Sequence, residues 1–259
     1  MNIRTTAILN LKGGVGKTTT VIHMAQLLHR DHNARVLVVD CDPQCNLTQF
    51  YGADPAKGNT THVLTVGWHD GISFSNIQPT ETEGVDILAA DDSLMELDLS
   101  QLKTDRVKKL CFRMMILELS RTDKYDYVLF DCPPAFNSAC AAALIAADDV
   151  VIPIKLDAFS VTGMANVMRQ VKNMQKINNR LRVAGILPTM WYKSEQIAEA
   201  EAILQQSGLP VFPRIRRNNR VDNVSFDREL ANAKTGHMRD YKRFVAAYAA
   251  QGGKNNGKI

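Results

Sequence analysis

The residues Lys12-Gly13-Gly14-Val15-Gly16-Lys17-Thr18-Thr19 set two amines and two hydroxyls among three glycines within eight positions. Glycines at this density let successive backbone N–H groups turn toward one point, where a phosphate is the natural occupant. From there Lys17 reaches the β- and γ-phosphates of a nucleotide, and the Thr18 hydroxyl can ligate Mg²⁺. The ordinary spacing, Gly-x4-Gly-Lys-Ser/Thr, asks for glycine at position 11, where this chain has Leu11. Lys12 stands ahead of the paired glycines instead, and beside a wrapped phosphate a second lysine has no core to enter.

Carboxylates follow in two places. Val36-Leu37-Val38-Val39 is an apolar strand that ends in Asp40-Cys41-Asp42-Pro43-Gln44. Tyr127-Val128-Leu129-Phe130 is another, ending in Asp131-Cys132-Pro133-Pro134. Acids just past the carboxyl ends of buried strands lie where open α/β sheets bind ligands. A lone acid such as Asp131, at the end of a buried strand, is costly without a cation nearby, and phosphate-loop enzymes use such an Asp in the magnesium shell.

The elements that must hold these residues alternate. Thr6–Leu9 reads as a strand, and helical spacing from Lys17 to about Arg30 follows the glycine loop. Further strands are expected at 85–89, 150–154 and 183–187, with helices near 61–66, 103–119, 138–147, 161–177, 195–206 and 237–250. In the helix at 103–119, Val107, Leu110, Met114 and Leu117 have the spacing of a core-facing stripe. Residues 44–84 are otherwise irregular. Continuous apolar strands between helices predict an α/β fold: one doubly wound, mostly parallel sheet flanked by helices, in a single domain over residues 1–250. Residues 251–259, rich in Gly, Asn and Lys, read as a disordered tail.

At 259 residues with 45% apolar and 22% charged content, the chain is long enough for one sizeable core. The net charge of +4 is unevenly spread: from Leu209 onward eleven Lys/Arg face four Asp/Glu. A basic end on a near-neutral body suggests an acidic partner, nucleic acid foremost. Five cysteines without a Cys-x-x-Cys pair read as reduced thiols in a cytoplasmic protein. No apolar run approaches the ~18 residues of a membrane span.

These motifs together resemble the ParA family of DNA-segregation ATPases, in the deviant phosphate-loop group that includes MinD-type cell-division ATPases. The resemblance rests on Lys12–Thr19, on Asp40–Gln44 and on 125–134, with weaker matches at 152–154, 185–187 and 215–218. It implies a deviant P-loop fold in which Gly13, Gly14, Val15, Gly16 and Lys17 bind the phosphates of ATP. Thr18 would ligate Mg²⁺ and Thr19 would sit near the α-phosphate. Asp42 would orient the attacking water, while Asp40 and Asp131 organise the magnesium shell. Lys12 would reach across an ATP-sandwich homodimer to the partner's nucleotide. The implied partners are non-specific double-stranded DNA and a ParB-like centromere-binding protein that stimulates hydrolysis, with no membrane. The implied place is the nucleoid. A loop starting near residue 11 leaves no room for the operator-binding module of longer relatives, as in Soj-like short forms. Position 45 departs from the family: Cys45 stands where a glycine is usual.

Beyond the motifs, Arg214, Arg216, Arg217 and Arg220 put four guanidiniums in seven residues, a surface suited to DNA phosphates without sequence reading. Lys193, Lys254 and Lys258 extend it, and Arg214 or Arg216 is an alternative wall for a nucleotide base. Cys132 and Cys140 read as small buried thiols rather than cluster ligands. The stripe Tyr241, Phe244, Val245, Tyr248 is expected in the core; its alternative is the membrane-binding helix of MinD-type relatives. Positioning of a protein cargo is a third reading, which the sequence does not separate from DNA partition.

Overall fold

Chain order in the computed structural model runs from β1 (Arg4–Ile8) through the glycine loop into α1 (Lys17–His32), β2 (Val36–Asp40), α2 (Asn46–Tyr51) and α3 (Thr60–Val66). Then come β3 (Gln78–Pro79), β4 (Val85–Leu88), α4 (Arg106–Leu119), β5 (Tyr127–Asp131), α5 (Ser138–Ala146) and β6 (Asp149–Lys155). The last elements are α6 (Ser160–Gln175), β7 (Arg182–Thr189), α7 (Glu195–Gln206) and α8 (Gly236–Gly252). The described residues are 3–66, 74–97, 106–157, 160–218 and 235–252.

The seven strands form one sheet in the order β3-β4-β2-β5-β1-β6-β7. Every pairing is parallel except that of the two-residue edge strand β3 with β4. Strand residues alternate between two cores because side chains alternate across a sheet. Leu37, Val39, Val128, Phe130, Val150 and Ile152 pack with α3, α4, α5 and α6. Val36, Val38, Leu129 and Val151 pack on the other face with α1, α2 and α8. The doubly wound reading of the sequence is therefore the fold, and it brings the carboxyl ends of β1, β2 and β5 side by side. In that register Asp131 lies opposite Ile8 on one neighbour and Asp40 on the other.

Three features differ from expectation. In α4 the described core-facing residues are Cys111, Phe112, Met115 and Leu119, whereas Met114 is 39% and Leu117 57% exposed. The helix carries apolar residues on more than one face, so its stripe has two possible phases, and Phe112 packing on Phe130 selects the other one. The side chain of Val107 lies outside the described residues. Second, the irregular stretch contains α2, one and a half turns opened by Cys45 in the left-handed conformation (φ 55°). Third, α8 continues through Gly252, and the Gln251 side chain donates to the Ala184 carbonyl, so residues 251 and 252 belong to the fold. The tail lysines Lys254 and Lys258 lie outside the described residues. Tyr241, Phe244, Val245 and Tyr248 are all buried, as the core reading expected.

Candidate active site at the phosphate loop

Between β1 and α1 the backbone takes positive φ at Gly14 (66°) and Gly16 (84°), conformations that a Cβ opposes. Gly16 caps α1 with no side-chain acceptor, so the first N–H groups of the helix face outward with its positive dipole end. The loop is tied down around them. Asn10 donates to the Pro153 carbonyl and accepts from the Lys12 N–H, and Thr189 Oγ donates to the Val15 carbonyl at 2.9 Å. Lys17 is buried, its Nζ donating to the Lys12 carbonyl at 3.2 Å, and burial pulls its pKa below the ordinary lysine value while Asp131 and Asp42 oppose the shift.

A cavity of about 470 Å³ opens over this loop, lined by residues 13–19 together with Asp42, Gln44, Asn46 and Pro134. Of the three carboxylates only Asp42 lines it. Asp40 is fully buried, and its Oδ2 accepts from the Thr48 N–H (2.9 Å) and hydroxyl (2.7 Å), its Oδ1 from the Asp42 N–H (3.1 Å). Burial raises it to about 6 against these donors. Asp42 closes a tight turn by accepting the Gln44 N–H at 3.0 Å, and it lines the cavity. Asp131 is 1% exposed, and neither oxygen has a hydrogen-bond partner of ordinary geometry. Burial, then the neighbouring Asp40, push it well above the carboxylate range, and the Thr18 hydroxyl and Lys17 counter them in part.

A bare buried carboxylate beside a threonine hydroxyl is an all-oxygen donor set, which suits a hard divalent cation such as Mg²⁺. The residues present therefore fit that ion, with Asp131 supplying the free lone pairs. Asp40 has its own already committed to the Asp42 N–H and to the N–H and hydroxyl of Thr48. The loop itself carries a mild conflict: Cys45 sits at φ 55°, a region where a residue other than glycine costs roughly 1–2 kcal/mol.

Lys12 forms an ion pair with Asp157, just past the end of β6, and its side chain remains 39% exposed. Beyond Gly16 and Thr19 a smaller cavity of about 130 Å³ runs between the end of β7 and α8, walled by Thr189, Met190, Ile215, Arg216, Arg217 and Asn218. Its far side is His237 and Tyr241. Tyr241 stacks on His23 of α1 at 4.1 Å, whose Nδ1 meets the Thr19 carbonyl at 2.8 Å.

The arginine run divides. Arg214 stacks over Trp191 at 3.7 Å and pairs with Glu201, and Arg216 makes a two-pronged bond to Asp240 at 2.7 and 2.9 Å. Arg217 turns to the smaller cavity, and Arg220 lies outside the described residues. Arg214 and Arg216 share a groove of about 580 Å³ with Trp191 and with the exposed Arg239 and Arg243 of α8.

Comparison with known proteins fits this geometry. A family model described as an AAA domain matches residues 3–183. The chromosome partitioning protein ParA of Caulobacter vibrioides is 32% identical over 226 residues, covering 86% of this chain and 84% of that protein. The chain belongs to the ParA family. Within the family it is also 33% identical over 185 residues to the sporulation initiation inhibitor protein Soj of Bacillus subtilis, covering 71% of each chain. Among solved structures, the ATP complex of a Cyanothece McdA variant has a TM-score of 0.83 at 24% identity, covering 97% of both chains. A cobyrinic acid a,c-diamide synthase from Mycobacterium smegmatis, solved with ADP and magnesium, has a TM-score of 0.81 at 27% identity, covering 99% and 98%.

For this ParA-family chain, sequence reasoning named the loop residues and Asp42 that line the larger cavity, and Asp131 buried beneath it. It missed Thr48, Trp191, Arg239 and Arg243. Arg239 and Arg243 stand four apart on the outer face of α8, opposite the buried stripe, and that spacing was the available signal.

Proposed function

We propose that this protein is a Mg²⁺-dependent ATPase that closes into a homodimer over ATP, binds duplex DNA non-specifically in that state, and is reset by hydrolysis. A ParB-like partner would stimulate turnover, and the task would be partition of a replicon or chromosome region on the nucleoid of the cytoplasm. The ATPase domain would extend through residue 252, with the last helix completing it. One observation carries this reading: Lys17 and Asp42 line a single cavity over a glycine loop, and the buried carboxylate of Asp131, without a hydrogen-bond partner of ordinary geometry, lies behind them within electrostatic reach of Lys17.

Phosphoryl transfer to water needs positioned charge more than covalent chemistry. Gly13 to Thr19 would hold the phosphates through backbone N–H groups, with Lys17 on the β- and γ-phosphates. Thr18 and Asp131 would hold Mg²⁺, with Asp40 in support; when bound, the ion neutralises charge building on the phosphate oxygens. Asp42 would orient the attacking water with the oxygen not engaged by Gln44. Met190 and the strip 215–218 would flank the base. Lys12 is held by Asp157 in the single chain, so reaching a partner's nucleotide exchanges that carboxylate for phosphate.

For DNA, the groove of Arg214, Arg216, Arg239 and Arg243 around Trp191 supports the reading better than the linear run did. Its cations are spread along one face, as phosphate contacts require. The membrane alternative loses its main element, because the aromatic stripe of α8 is buried in the core. Among the described residues no helix is long and apolar enough to cross a membrane.

The deciding experiment measures Mg–ATP binding, hydrolysis and binding to plain duplex DNA and to anionic liposomes, for wild type, Lys17→Ala and Asp42→Ala. Lys17→Ala is expected to lose nucleotide binding. Asp42→Ala should bind ATP and DNA without turning over, and liposome binding should be absent throughout. Retained ATP affinity in Lys17→Ala, or undiminished hydrolysis in Asp42→Ala, would remove the reading.

A further inference from the structure

Asp42 does not hold itself in place. Its N–H is fixed on Asp40 Oδ1, and the other oxygen of Asp40 is held by Thr48 through two bonds, 2.9 Å from the N–H and 2.7 Å from the hydroxyl. A threonine hydroxyl has one proton. That proton is spent on Asp40, so the 2.8 Å bond from the Ala90 N–H enters an Oγ lone pair, and the hydroxyl is oriented from both ends. Ala90 follows β4, and the Asp40 carbonyl is gripped in turn by the Thr60 hydroxyl at 2.6 Å. The acid-bearing loop is thus anchored through Thr48 to the neighbouring strand. Thr48 itself is buried, and it is absent from the lining of the cavity, to which Asn46, Gln49 and Phe50 of the same helix contribute.

We infer that Thr48 is a positioning residue for hydrolysis, holding Asp42 on target through the Asp40 carboxylate. This rests on the proposed role of Asp42. Without the hydroxyl, Asp40 loses its shortest donor and the Ala90 N–H is left without its acceptor. The carboxylate then keeps only the Thr48 N–H on Oδ2, so it turns more easily about its Cβ–Cγ bond, and the Asp42 N–H follows Oδ1. Because no atom of Thr48 reaches the cavity, nucleotide affinity stays and turnover suffers.

The test uses the full chain and Mg–ATP, comparing Thr48→Val, Thr48→Ala, Thr48→Ser, Asp42→Ala and the double variant Thr48→Val/Asp42→Ala. Readouts are the dissociation constant for Mg–ATP, the single-turnover rate per folded molecule, and thermal melting. The expected result is a rate reduced by about ten- to a hundredfold in Thr48→Val, the scale of a small misplacement of a catalytic group. Affinity should stay within about twofold, Thr48→Ser should recover most of the rate, and the double variant should be no slower than Asp42→Ala. If Thr48→Val does not fold, Thr48→Ala carries the same prediction. Wild-type turnover in a folded Val or Ala variant overturns the inference, as does a Ser variant as slow as Val, or losses that multiply in the double variant. If instead Asp42→Ala itself hydrolyses normally, the reading of Asp42 has failed and this inference falls with it.

Discussion

Asp40 and Asp131 face each other at the ends of adjacent strands, and only Asp40 has its oxygens satisfied. Asp131 therefore costs the ligand-free protein free energy that a cation would return. Asp131→Asn is expected to leave the ligand-free protein as stable as wild type or more so, by about 1–3 kcal/mol. The same change should abolish the rise in melting temperature expected of wild type with Mg–ATP. A variant that melts lower, yet still responds to Mg–ATP, would contradict this. His23 supplies a second test at this scale. Burial lowers it from 6.5 to about 4, so between those values the unfolded chain binds the proton that the folded chain refuses. The stabilisation is complete above pH 6.5 and is lost as pH falls toward 4, a loss of about 3 kcal/mol by linkage. The difference in stability between wild type and His23→Phe should shrink by that amount across the window; a constant difference would place the charge change elsewhere.

Among the elements, α4 shows where pattern reading stops. Phe112→Ala should cost about 3–5 kcal/mol, as for a buried aromatic, and Leu117→Ala no more than about 0.5 kcal/mol. Chemical denaturation of the two variants checks this, and the reverse ranking would restore the Val107–Leu117 stripe. The sequence signals for β1, α1, β2, β5 and the motifs at their ends were strong because each was fixed twice, by an apolar strand and by chemistry at its carboxyl end. That Asp42 and Asp131 stand at or just past the carboxyl ends of β2 and β5 was legible for that reason. The phase of α4 was not, since only contact with Phe130 distinguishes its apolar faces. Nor was α2, whose N-cap Cys45 adopts a conformation that cysteine seldom takes, leaving no helix-start signal to read. The support that Thr48 gives to Asp40 joins residues eight apart through a turn, a contact no periodicity encodes.

For the whole molecule, ATP should convert single chains to pairs, and scattering or sedimentation of the Asp42→Ala variant with Mg–ATP should show them. Lys12→Ala is expected to keep nucleotide affinity and lose the pair; pairs formed equally well without Lys12 would end its proposed role across the interface. Arg239→Glu with Arg243→Glu should weaken binding to duplex DNA of any sequence and flatten its salt dependence by about two phosphate contacts. Unchanged affinity would move the DNA surface off α8.

Arg216 belongs to two walls at once, that of the small cavity beyond Gly16 and that of the arginine groove. Helix α8 also serves both, with His237 and Tyr241 toward the cavity and Arg239, Asp240 and Arg243 toward the groove. Pressure on one side of such a shared wall is felt on the other, and free-energy coupling runs equally in both directions. On the proposed function, the base and the double helix would then not be independent guests: whichever arrived first would set the terms on which the second is admitted.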